Sequence, residues 1–220
     1  MESQAKWGRR VDGAATRMQI LEAAGAVIAE KGIDRATGKE IAERAGTSSN
    51  AINYYFGGMQ GLHVEVLVEA HRSLGSFEEL AALAGQEVPA EEKLRQFLTL
   101  AAATAMQPSG PSWALQVLNR EFFAPSPAAQ SLQDQEILPK KQIILGIVAE
   151  ILGRPADDPL VERCGFAVIA PIMMLLVCEP GSRRAAFPGL EDDVGDTGAL
   201  ASALTTFAIG GLRAVAEGAG

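Results

Sequence analysis

Thr37, Lys39, Ser48, Ser49, Asn50, Asn53, Tyr54 and Tyr55 gather within one short segment of a 220-residue chain. Asparagine can pair bidentately with an adenine edge, and serine, tyrosine and helix N-termini bind phosphate oxygens. Both tyrosines of the chain belong to this set. These residue types suit recognition of a nucleic acid. They do not suit making or breaking bonds.

Catalytic spacing is absent elsewhere. There is no G-x-S-x-G elbow, no G-x-x-x-x-G-K-[ST] loop and no H-E-x-x-H helix. The two histidines, His63 and His71, stand eight apart on one expected helix, too far to share a metal, and neither follows a Glu by three residues as helical di-iron sites require. They are expected at the surface or at a domain contact. No metal, cofactor or enzymatic activity is expected. Cys164 and Cys178, if on one helix, lie roughly 21 Å apart at 1.5 Å per residue, too far for a disulfide. Two unpaired thiols read as small buried hydrophobes in a reducing cytoplasm.

The polar set needs helices to position it. Thr37 caps a short helix that ends at Gly46; Ser48 and Ser49 cap another that runs to Phe56. A helix-turn-helix demands a small residue where its helices touch, which Ala42 supplies, and a turn residue tolerant of positive φ, which Gly46 supplies. Ile41, Ala45 and Ile52 have the spacing to fill the wedge, and Phe56 reads as core. Ahead of this pair, Thr16 caps a first helix carrying Ile20, Leu21, Ala24, Val27 and Ile28 at helical spacing, with Gly32 as its stop. Behind it, glycines 57, 58 and 61 precede a longer helix with Leu62, Val66, Leu67, Ala70 and Leu74.

All eleven prolines lie at Pro89 or later. Further helices are expected at about 90–107, 112–123, 127–152, 159–178 and 196–217. Connectors rich in Pro and Gly separate them, including 108–111 and 179–195. Pro139 and Pro171 fall inside helical patterns and should kink or split them. The run Gly165–Cys178, about fourteen residues, falls short of the roughly 18 that a membrane span needs and reads as a buried core helix. Met1–Ala15 carries basic residues without the apolar stretch of a secretory signal. No strand-type alternation occurs. The expected fold is all-α, with about nine helices.

The stretch from Thr16 to Leu74, above all Ile52-Asn-Tyr-Tyr-Phe-Gly57, resembles the amino-terminal domain of TetR-family regulators. Asn53–Gly57 together with Arg120-Glu-Phe-Phe-Ala-Pro-Ser-Pro127 is similar to the CecR-like branch. The resemblance implies that the third helix enters the major groove of double-stranded DNA while the second supports it. Lys39 would reach a phosphate or a base edge; Ser48, Ser49 and Asn50 would meet DNA at the start of the third helix. Asn53 and Tyr54 would project from its exposed face, and Tyr55 would donate its hydroxyl to a phosphate. Where the family usually has a phosphate-holding lysine after this helix, this chain has Met59; the arm bearing Lys6, Arg9, Arg10 and Arg17 is a candidate replacement.

The resemblance also implies an inverted-repeat operator, a homodimer and a small-molecule effector, with repression relieved by the ligand as the family default. Residues 1–60 would form the DNA-binding domain and 61–220 the effector-binding and dimerisation domain. Leu160–Cys178 and Leu200–Val215 are apolar nearly all round, more than one core face requires. Ala199, Ala203, Leu204, Phe207 and Gly211 are the interface candidates. Phe97, Leu100, Met106, Trp113, Leu118, Phe122, Met173 and Met174 are the candidate lining of an apolar effector cavity.

Net charge, −8 overall, argues at first against a nucleic-acid partner. Its distribution softens that. Residues 1–60 hold eight Lys/Arg and seven Asp/Glu, a net of +1, whereas 61–220 hold eleven and twenty, a net of −9. An amino-terminal segment able to approach DNA and an acidic body are the expectation. The rival readings are an enzyme and a helical adaptor that has lost DNA binding, the latter favoured by the low basic charge and by Met59.

Overall fold

The computed structural model describes residues 2–106, 113–190 and 197–218, with the backbone only for 2–12 and 197. All regular elements among them are helical: α1 (Glu2–Lys31), α2 (Gly38–Arg44), α3 (Ser49–Phe56), α4 (Met59–Arg72), α5 (Phe77–Ala84), α6 (Ala90–Ala105), α7 (Trp113–Phe123), α8 (Ala129–Leu132), α9 (Leu138–Leu152), α10 (Pro159–Val177), α11 (Pro180–Ala186) and α12 (Thr197–Gly218). The all-α expectation holds. The helix ends expected at 107, 112 and 196, and the 108–111 connector, lie outside the described residues.

Two compact units divide the chain: Met1–Ser73 with Pro111–Glu136, and Leu74–Gly110 with Ile137–Gly220. The first is built on α1. Its Ile20, Leu21, Ala24, Val27 and Ile28 stripe packs with Ile41, Ile52, Leu62, Val66, Leu67 and Val117 from the helices around it. Each buried Val, Leu or Ile of this set contributes about 1.5–3 kcal/mol when fully buried. Helix α7 lies close on α1. Trp113 donates its indole N–H to Glu22 at 2.8 Å, and a Cβ at Gly25 would stand 2.4 Å from the indole ring.

The second unit centres on Leu94, Leu98, Ile144, Val148 and Val161. Helices α9 and α10 approach closely at Gly165, where a Cβ would meet Leu145 at 2.2 Å. Arg213 of α12 grips Glu91 of α6 with two hydrogen bonds, 2.7 and 2.6 Å.

Several local expectations are corrected. Thr16 lies inside α1 rather than at its start, since the helix begins upstream at Glu2. Helix α5, which the apolar pattern does not announce, starts at a capping box in which Ser76 Oγ accepts from Glu79 N–H while the Glu79 carboxylate accepts from Ser76 N–H. Helix α11 breaks the connector expected at 179–195. Glu179 caps it, accepting from the N–H groups of Gly181 and Ser182. The helix expected across 127–152 contains a π-helical segment, Gln133–Ile137, immediately before Pro139. Proline has no N–H to donate and its ring crowds the preceding turn, so the ladder widens there.

The most consequential correction concerns α10. It is not the buried core helix that its apolar run suggests: Phe166 is 75% exposed, and Met173 and Met174 are exposed beside it. Helices α10 and α12 are both long and apolar enough to cross a membrane by length and composition, and little of either is buried within the chain.

Candidate nucleic-acid interface

Four residues, 45–48, separate α2 from α3. Gly46 takes φ +65°, the left-handed conformation its place in the turn requires. Thr47 N–H then reaches back to the Ala42 carbonyl at 2.9 Å, a Schellman closure that ends α2. Ala42 and Ile41 are buried on one side of the turn and Ile52 and Phe56 on the other, as the spacing requires. Thr37 caps α2, its Oγ1 accepting from Glu40 N–H at 3.3 Å. Ser48 occupies the N-cap position of α3 without a side-chain bond to it, so its hydroxyl is left for another partner.

With Ile52 and Phe56 inward, the other face of α3 turns outward. Ser48, Ser49, Asn50, Asn53 and Tyr54 are all exposed, Tyr54 to 82%. Tyr55 is half-buried. Its ring meets Tyr54 edge-on at 4.9 Å, and its hydroxyl lies 3.5 Å from where a Cβ at Gly13 would stand. Thr37 is exposed at the start of α2. Lys39 projects into solvent two residues on, with Glu43 at 3.9 Å.

The cations of this region are largely paired within the unit. Lys31 bonds Glu40 at 2.6 Å and Arg44 bonds Glu30 at 2.6 Å. Arg17, expected in a DNA-contacting arm, is instead paired with Glu65 and stacked 5.0 Å over the Phe56 ring. It holds α1 to α3 and α4. The side chains of Lys6, Arg9 and Arg10 lie outside the described residues. Met59 is half-buried against the unit's core. The exposed surface of α3 therefore presents neutral hydrogen-bonding groups, and Lys39 of α2 is more exposed than the paired Lys31, Arg44 and Arg17.

The other expected sites fall as follows. Ala199, Ala203, Phe207 and Gly211 form an exposed row along α12 at intervals of four, whereas Leu204 is half-buried against the second unit's core. Phe97 is buried in that core, Met106 packs against it, and Leu100, Met173 and Met174 are exposed. Trp113, Leu118 and Phe122 lie on α7 in the first unit, with Trp113 committed to Glu22. Among the described residues no group of three or more His, Cys, Asp or Glu side chains is placed to hold a metal ion.

Sequence reasoning missed His63. Rather than a surface residue it is 7% exposed, in a cleft of the first unit beside Glu121 of α7. Burial holds its pKa below the ordinary histidine value, against the opposing pull of Glu121 and Asp34. The only sequence signal is its place between Leu62 and Val66, one turn inside an amphipathic helix.

Residues 20–66 match the family of bacterial regulatory proteins, tetR family. Residues 90–212 match the C-terminal domain of the HTH-type transcriptional dual regulator CecR. No curated protein sequence matches the chain. Among solved structures, it is similar to FadR from Bacillus subtilis in complex with stearoyl-CoA, at 19% identity over 88% of this chain and 98% of that one, with a TM-score of 0.66. It is also similar to a putative transcriptional regulator from Pseudomonas aeruginosa PAO1, at 19% identity, 91% and 92% coverage, and a TM-score of 0.68. SmeT, the repressor of the Stenotrophomonas maltophilia multidrug efflux pump SmeDEF, aligns at 20% identity, 90% and 91% coverage, and a TM-score of 0.59.

Proposed function

Because the chain belongs to the TetR family of bacterial transcription regulators and carries the CecR-type C-terminal domain, we propose that it is a dimeric repressor that leaves an inverted-repeat operator when a small apolar effector binds. The observation that carries the operator reading is the sidedness of α3. Ile52 and Phe56 anchor one face in the core while Ser48, Ser49, Asn50, Asn53 and Tyr54 face outward. A helix so anchored can offer asparagine to base edges while serine and tyrosine hold phosphates. Tyr55 and Lys39 flank the face and serve the backbone, and Thr37 does so from the start of α2.

Dimerisation is supported by the apolar faces of α10 and α12. Phe207 is 87% exposed, and with Ala199, Ala203 and Gly211 it makes a row of small residues around one large one. Solvent-facing Phe166 and Met174 on α10 extend the apolar area within the same unit. Such a surface calls for cover, and a two-fold axis covers both copies at once. The thiols of Cys164 and Cys178 are unpaired, which suits a reducing cytoplasm.

The C-terminal domain, on this reading, holds the effector, with Phe97, Leu100, Met106, Met173 and Met174 as candidate contacts and Trp113, Leu118 and Phe122 of α7 as further ones. The similar FadR was crystallised with stearoyl-CoA, which makes long-chain acyl thioesters the first compounds to try. A ligand releases DNA only if it prefers the arrangement that binds DNA poorly. Fluorescence anisotropy of a selected operator tests this. Affinity that falls as an acyl thioester is added supports the proposal, and a stabilising ligand that leaves affinity unchanged contradicts the switch.

A further inference from the structure

The first unit contains a cleft of about 460 Å³, a size typical of small-molecule sites. Helix α1 and the turn after it, α4, and α7 border it, with Ile28, Val117 and Phe123 as apolar wall. Its floor is polar. Glu121 is 8% exposed, and its Oε1 accepts from Ser126 N–H at 2.8 Å and from Ser126 Oγ at 2.9 Å. Oε2 accepts no hydrogen bond among the described residues. Its nearest basic neighbour there is His63 Nε2 at 4.0 Å, beyond hydrogen-bond reach. His63 is as deeply buried, and burial favours its neutral form. The floor thus holds a largely buried glutamate whose Oε2 makes no hydrogen bond among the described residues and has no nearer cation there than His63.

The rim carries both signs. Arg120 lines the cleft with an exposed guanidinium that makes no hydrogen bond among the described residues, lying close over Gly32, where a Cβ would stand 3.2 Å from Nη1. Asp34 lines the cleft as well, just beyond Gly32.

We infer that this cleft binds a small zwitterion of the amino-acid type with an apolar side chain. Its ammonium points to Glu121 and Asp34, its carboxylate to Arg120, and its side chain rests on Ile28, Val117 and Phe123. A simple cation would leave Arg120 unmet and a simple anion would face Glu121. Only a molecule with both charges meets each group. The site shares no residue with the candidate effector contacts, and the inference does not rest on the operator reading.

His63 and His71 are the only histidines, so their ring ¹H–¹³C signals in the full-length protein are assigned with one His71→Gln variant. L-phenylalanine and L-leucine are titrated as probes, with phenethylamine and 3-phenylpropionate as the halves of phenylalanine. The expected result is a saturable shift of the His63 signal with at least one amino acid. Each half should bind about tenfold or more weakly than phenylalanine, the loss expected on removing a charged hydrogen-bonding partner. Arg120→Gln, at an exposed position, should abolish the preference for phenylalanine over phenethylamine; Glu121→Gln should abolish it over 3-phenylpropionate. No saturable His63 shift with either amino acid overturns the inference. So does equal binding of either half, or an Arg120→Gln protein that still discriminates.

Discussion

A Cβ on Gly61 would stand 1.9 Å from the carbonyl oxygen of Phe56. The first turn of α4 therefore meets the end of α3 with no space for any side chain, and this contact helps fix where α3 lies. The demand is steric, since Gly61 is not among the glycines with positive φ. Gly61→Ala should cost about 1–3 kcal/mol, as overpacking does, and should weaken operator binding as well. Gly146 of α9 is the control: it is exposed, and nothing lies within 4 Å of where its Cβ would stand. Gly146→Ala should stabilise the protein by roughly 0.5–1 kcal/mol through helix propensity. Urea unfolding of the two variants reads both signs, and a neutral Gly61→Ala would refute the contact.

Asn53 and Tyr55 are expected to act differently on DNA. Asn53→Ala should lose about 1–3 kcal/mol on the best operator and relax preference at particular base pairs. Tyr55→Phe should weaken specific and random DNA alike, because a phosphate contact carries no sequence information. Anisotropy titrations on both kinds of DNA separate the two patterns. Wild-type affinity in both variants would remove α3 from the interface.

Salt dependence should be shallow for a regulator of this kind. Lys31, Arg44 and Arg17 are engaged by Glu40, Glu30 and Glu65, and Lys39, with its side chain 84% exposed, is the most exposed of these four cations. Lys39→Ala should lower the slope of log K against log salt by about one per half-site. An unchanged slope would show that Lys39 does not reach phosphate.

Phe207 offers the clean test of dimerisation. It is exposed in the single chain, so Phe207→Glu should leave the subunit folded while dividing the dimer. Light scattering should report about twice 23.1 kDa for the wild type and a single chain for the variant. Leu204, also an interface candidate, is half-buried against its own core, and a charge there would damage the fold itself. A Phe207→Glu protein that remains dimeric would move the interface elsewhere.

His63 gives the molecule a pH dependence of definite sign. Its folded pKa is depressed by burial, so below the ordinary histidine value of about 6.5 the unfolded chain binds a proton that the folded chain does not. Stability is then full above that value and declines as pH falls through it toward the depressed pKa. His63→Gln should flatten the dependence of unfolding free energy on pH below about 6.5. An identical slope in the variant would show that His63 titrates normally.

How much of the fold and the site is legible in the sequence varies with the range of the forces involved. Local rules expose most of α2 and α3: Thr37 caps, Ala42 packs, Gly46 turns, and Ile41 and Ile52 point inward, although Ser48 makes no side-chain cap bond to α3. Helix α5 is also locally written, in Ser76 and Glu79, and α11 in Glu179 followed by Pro180, but neither has the long apolar run that makes a helix stand out. Nothing local to His63 announces that Glu121 will lie against it, since that meeting depends on α7 packing against α4. The apolar run of α10 misleads for a related reason. Apolarity alone does not say whether a helix is covered by its own chain, and here Phe166 and Met174 are not.

Selection of bound sequences from a random DNA pool tests the central claim, that α3 reads DNA as part of a two-fold dimer. The wild-type protein should enrich an inverted repeat, because two related recognition helices meet two related half-sites. The Asn53→Ala protein should enrich the same repeat with reduced information at a symmetric pair of positions. A pool without any repeat, or one that Asn53→Ala leaves unchanged, would contradict the account.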